Sequence, residues 1–169
     1  MKNGCLKGLS CFGLLLISPL ILVALLDARI PRIDYMERQL QRNKEELVMV
    51  VDFITALDFE MVSIQRPFEA RVSDMFVGSR YGRIPIDDER YLVVIQNLFN
   101  RGFRVISKDE KAVSFLRWST RNHGRGIVYS LDGTTPDEES LTFLTEIEPL
   151  TEDRWYFYVE DFHVWRRSN

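Results

Sequence analysis

The spacing of hydrophobic and polar positions changes along the chain, and each change predicts an element. Residues 9 to 26 carry no charge and are mostly Leu, Ile, Val or Phe. A helix of that length, at about 1.5 Å per residue, reaches about 27 Å, close to the hydrocarbon thickness of a bilayer. The run predicts an uncleaved transmembrane anchor. A cleavable signal needs small residues at −3 and −1, and cleavage after Ala24 or Ala28 places Leu22 or Leu26 at −3. Pro19 is tolerable as a kink in lipid. Residues 1–8 form a short basic amino terminus, and "DARIPRI" at 27–33 is a connector whose Pro31 stops a helix running straight on from the bilayer.

Residues 34–169 read as a single soluble α+β domain. Asp34 with Glu37 predicts a capping box, and Met36, Leu40, Leu47, Val50 or Val51, Ile54 and Leu57 follow at helical spacing. "FEMVSIQ" predicts a first strand, with Met61 and Ile64 as its apolar positions, and "ARVSDMFVG" a further one. Gly78, Gly82 and Pro85 mark an irregular connection. Asp87 or Asp88 caps a second helix carrying Tyr91, Leu92, Ile95, Leu98 and Phe99. Gly102 ends it, and Arg101 sits near the carbonyl end. From Phe103 onward the period becomes two: "FRVIS", "AVSFLRWS", "GIVYSL", "LTFLTEI" and "WYFYVEDF" read as successive strands. Helices followed by turn-linked strands predict two helices packed on a mainly antiparallel sheet of about five to six strands.

Charge narrows the partners. Lys2 and Lys7 are the only charges before residue 27, so the rest of the chain holds 20 basic against 25 acidic side chains. That acidic balance points to no nucleic acid as partner, because phosphate binding needs a concentrated positive face. Cys5 and Cys11, the only cysteines, both precede the domain, which excludes a disulfide framework or a cysteine-built zinc site within it. Lys2 and Lys7 favour a cytoplasmic start, whereas Arg29, Arg32, Arg38, Arg42 and Lys44 crowd the other flank and oppose it. The positive-inside rule by itself leans the other way, and against it the short basic start, the acidic balance and the absence of domain cysteines favour the extracytoplasmic side of the cell membrane for the domain, behind a single-pass anchor.

Candidate chemistry is sparse. "LRWSTRNHGRG" at 116–126 gathers Arg117, Arg121, His123 and Arg125, a set suited to an anionic ligand because guanidinium forks match carboxylates and phosphates. Between two strands the same residues also suit a solvated hairpin connection, with Gly124 and Gly126 supplying positive φ. A phosphate loop fails on context, since "GRG" joins strand to strand. Asp161 and His163 share one face of a strand, but a metal would need a third ligand that the spacing does not supply, so no metal and no cofactor is expected. Ser119, Thr120 and Ser130 near His123 occupy no nucleophile elbow, and no catalytic residue is assigned. "DGTTPDEES" lacks calcium-loop spacing and reads as a turn at Asp132 and Gly133 followed by a short capped turn. On the last strand Trp155, Phe157 and Val159 point one way, Tyr156 and Tyr158 the other. One set must be core; the other is either covered or a recognition surface.

"RIDYMERQLQRNKEEL", "GIVYSLDG", "FLTEIEPL" and "EDRWYFY" resemble stretches of an uncharacterised family of small membrane-anchored proteins of Gram-positive bacteria. The resemblance runs from Arg32 to Trp165. It implies a tethered, outward-facing domain and carries no activity, cofactor or catalytic residue with it. The resulting expectation is a membrane-anchored, non-enzymatic domain that binds a protein or an envelope component, as an accessory or immunity-like factor does. The alternative is a small hydrolase or anion-binding enzyme using His123 with Arg117, Arg121 and Arg125.

Overall fold

The computed structural model of the chain describes residues 30–67, 72–78, 82–138 and 140–163. The expected anchor at 9–26, both cysteines, and Trp165, Arg166 and Arg167 lie outside the described residues. Among the described residues no helix is long and apolar enough to cross a membrane. The chain divides between Pro31 and Arg32, within the expected connector; the architecture below belongs to the unit that begins at Arg32.

Helix α1 (Ile33–Thr55) buries Met36, Leu40, Leu47, Val50 and Ile54 as one stripe. Asn43 fills the turn between Leu40 and Leu47. It is buried, so its amide must be satisfied: Nδ2 donates to the Gln39 carbonyl at 2.6 Å, and Oδ1 accepts from Arg101 Nη1 at 2.8 Å. The capping box expected at Asp34 and Glu37 does not form. Arg32 occupies the N-cap without a side-chain bond. Glu37 instead accepts from the Thr151 backbone N–H at 3.0 Å and from the Thr151 hydroxyl. A distant loop competes for that carboxylate and wins it.

Helix α2 (Glu89–Asn100) starts as expected, with the Asp88 carboxylate accepting from the Arg90 backbone N–H at 2.9 Å. Gly102, at φ +103°, turns the chain away from its end. Arg101 does more than face the last carbonyls: its Nη1 reaches Asn43 and Glu46 and ties the end of α2 to α1.

The sheet has eight strands rather than five to six. They are β1 (Val62–Gln65), β2 (Asp74–Val77), β3 (Gly82–Pro85), β4 (Val105–Lys108), β5 (Ala112–Ser119), β6 (His123–Ser130), β7 (Leu144–Pro149) and β8 (Trp155–Asp161). Their order is β3-β2-β1-β4-β5-β6-β8-β7, and every neighbouring pair is antiparallel. Strand β3 lies in the stretch read as irregular. "GRIP" pairs with β2 despite its glycine and proline because it is an edge, where one missing N–H costs no ladder bond. In β1 the inward residues are Val62 and Ile64, while Met61 is exposed, which corrects the expected alternation.

Both faces of the central strands are covered. On one face α1 and α2 pack against Ile64, Ile106, Phe115, Ile127, Phe157 and Val159. On the other, Leu141, from the connection between β6 and β7, closes a smaller cluster over Ala112, Val128 and Tyr158. Trp155, Phe157 and Val159 are therefore core on one face and Tyr158 on the other, with Tyr156 partly buried against the smaller cluster. The acidic connection is built as two turns: Asp132 accepts from Ser130 Oγ and from Thr134, and Asp137 accepts from the N–H and hydroxyl of Ser140.

Candidate functional site

The short β5–β6 connection and the exit of β8 meet at one end of the sheet. Thr120 closes that connection: its Oγ1 accepts from the backbone N–H of Asn122 at 3.2 Å and of His123 at 3.1 Å. His123 is thus the first residue of β6, and its register partner on β8 is Asp161. The Phe162 N–H donates to the Asn122 carbonyl at 2.7 Å, so His123 and Asp161 form the next, non-hydrogen-bonded pair. In antiparallel ladders such pairs hold their side chains closest. His123 Nδ1 stands 3.8 Å from Asp161 Oδ1, with 48% and 29% of the two side chains exposed.

After β8 the chain turns back on the same carboxylate. Asp161 Oδ1 accepts from the His163 backbone N–H at 2.8 Å. That turn carries the His163 ring to 5.8 Å from the His123 ring, edge to face. The ligand atoms of His123, Asp161 and His163 all lie within 4.8 Å of one another. The third ligand missing from the local spacing of Asp161 and His163 is supplied across the sheet by His123. Reading "LRWSTRNHGRG" and "EDFH" separately cannot reveal this, because the register between β6 and β8 creates it.

The arginines divide. Arg121 is exposed in the connection, and Arg125 follows His123 on β6 with its backbone paired to Trp118 and Val159. Arg117 leaves the group altogether. The β5–β6 register shifts between Leu116 and Trp118, making Arg117 the extra residue of a bulge, and bulges re-aim side chains. Its Nε and Nη2 donate to the Tyr35 hydroxyl at 2.9 and 2.7 Å, and its guanidinium lies over the rings of Tyr35 and Phe103. Arg117 is therefore a strut beneath the first turns of α1.

The glycines also have a different task from the one expected. Gly124 and Gly126 are strand residues, and neither has positive φ. A Cβ at Gly124 would stand 2.7 Å from Glu160 Oε2, and one at Gly126 2.6 Å from the Tyr158 ring. They make room for the outer face of β8. Glu160 lies over Gly124, close to Leu116 and Phe162, and burial pushes its carboxyl up to about 7. The Tyr158 hydroxyl is fully buried; burial raises its pKa well above the usual value, and the nearby Glu160 charge adds to this against a bond to Ser114. Sequence reading missed Glu160, although it continues the Tyr156 and Tyr158 face of β8.

The nearby hydroxyls serve local structure. Ser119 Oγ accepts from Arg104 at 3.3 Å, Thr120 closes the connection, and Ser130 bonds Asp132 and the Gly133 N–H. None is presented to His123 as a nucleophile to a base. Comparison with protein-family models, curated proteins and solved structures finds no match to the chain.

Proposed function

We propose that the chain is a membrane-tethered, non-enzymatic binding domain that recognises a protein or envelope component through the sheet end formed by the β5–β6 connection and the exit of β8. The tether is the uncharged run at 9–26, and in this reading the short basic start at Lys2 and Lys7, with the acidic, cysteine-free remainder, outweighs the basic residues that follow the run. The observation that carries the reading is the convergence of His123, Asp161 and His163 at the ends of firmly paired strands, with Arg121 exposed in the connection that leads into His123.

Other surfaces suit recognition less well. Both faces of β5, β6 and β8 contribute to hydrophobic clusters. The edge strands β3 and β7 each end in a proline, and β7 exposes Glu146 and Glu148, features that discourage addition of another strand. The sheet end, by contrast, offers donors, acceptors and charge on a rigid support.

Photo-crosslinking in intact cells tests the reading. A crosslinking residue in place of Arg121 is expected to give one reproducible adduct, and one in place of Glu110, in the β4–β5 turn at the opposite end of β5, none. The same adducts from both positions, or no adduct from 121, would contradict it.

A further inference from the structure

The geometry points to a divalent transition-metal site formed by His123, Asp161 and His163. The chain contains two histidines, and the fold brings both to one aspartate, with all three ligand atoms within 4.8 Å of one another. Bound Zn2+ holds imidazole nitrogens and carboxylate oxygens at about 2.0–2.2 Å, which places neighbouring ligand atoms somewhat over 3 Å apart. The His123–Asp161 separation of 3.8 Å is already near that value. The remaining contraction falls to exposed imidazoles, which rotate without disturbing the core.

The scaffold already orients these groups. The His163 N–H fixes one oxygen of Asp161 at 2.8 Å, and Thr120 fixes the backbone of His123. Hydrogen bonds that orient ligands in this way are what allow a small set of side chains to hold an ion. Two imidazoles in three ligands select zinc, copper, nickel or cobalt over magnesium and calcium, which favour all-oxygen sets. Three protein ligands also leave at least one coordination position open to solvent or to a group from outside the chain. The site faces outward, with both His123 and His163 exposed, so that position is open to a small ligand from solvent.

Zinc titration of the untagged full chain in mild detergent, with both cysteines changed to serine to remove thiolate competition, tests the assignment. One equivalent of Zn2+ is expected to bind, measured by competition with a chromophoric chelator. His123→Ala, His163→Ala and Asp161→Asn should each weaken binding by about tenfold or more. Circular dichroism and metal-free melting should be unchanged in His163→Ala, which lies beyond the end of β8. Co2+ should give visible d–d absorption that the same variants lose. Zn2+ affinity in all three variants equal to that of the parent, or no saturable binding by the parent, would overturn the site.

Discussion

Gly126 and Tyr158 face each other across β6 and β8, and the Tyr158 ring and hydroxyl occupy the space a side chain at 126 would need. A Cβ there would also stand 2.4 Å from the Phe115 carbonyl oxygen. Backbone cannot yield as a side-chain tip can, so Gly126→Ala should destabilise the fold by about 3 kcal/mol, at the upper end of overpacking effects. Urea unfolding followed by tryptophan fluorescence checks this. An unchanged midpoint would mean that the two strands separate easily.

Glu160 makes stability depend on pH. Its folded-state pKa of about 7 lies above the 4.5 of an ordinary glutamate. Below both values the carboxyl is protonated folded or unfolded, and its contribution is neutral. As pH rises from about 4.5 the unfolded chain ionises first, so stability falls until pH passes about 7, by at most about 3 kcal/mol. Glu160→Gln should match the parent near pH 4 and exceed it at pH 8, in buffer containing chelator. Parallel pH–stability curves for the two proteins would show that the carboxyl is better hydrated than its setting over Gly124 implies.

Arg117 depends on one hydroxyl. With Nε and Nη2 on Tyr35, its Nη1 is buried and has no hydrogen-bond partner among the described residues. Tyr35→Phe should cost about 1–3 kcal/mol by leaving a partly buried cation without its acceptor. The double variant Tyr35→Phe with Arg117→Met should be less destabilised than the sum of the two single changes. Strict additivity in chemical denaturation would argue that the two side chains act independently.

The division between Pro31 and Arg32 predicts how the chain can be cut. A chain starting at Arg32 should remain in the supernatant with the circular dichroism of a mixed α/β protein. The full chain should stay in the membrane pellet after alkaline carbonate extraction. Release of the full chain by carbonate would contradict an anchor at 9–26.

Much of this architecture was legible in the sequence because it is set locally. The 3.6-residue spacing of α1, the Asp88 cap and the period-two strands after Phe103 need only near neighbours to appear. The losses occurred where distant partners decide. Glu37 looks like a capping residue until Thr151 is brought beside it, and "GRIP" looks like a connection until β2 pairs with it. Gly124 and Gly126 look like turn glycines until Glu160 and Tyr158 cover them. The candidate site was half visible in the same sense. The sequence offered His123 with the arginines and His163 with Asp161, while the β6–β8 register joined the two histidines and a bulge removed Arg117.

The most direct measurement of the recognition claim compares two cysteine probes in a background lacking Cys5 and Cys11. Glu110→Cys and Arg121→Cys are each treated with a membrane-impermeant maleimide, on intact cells and after purification. Position 110 should label at the same rate in both settings, which also places the domain outside the cell. Position 121 should be protected at least tenfold on cells and become reactive once the protein is purified. Equal labelling of the two positions on intact cells would contradict recognition through the sheet end, and labelling of 110 only after lysis would contradict the outward orientation.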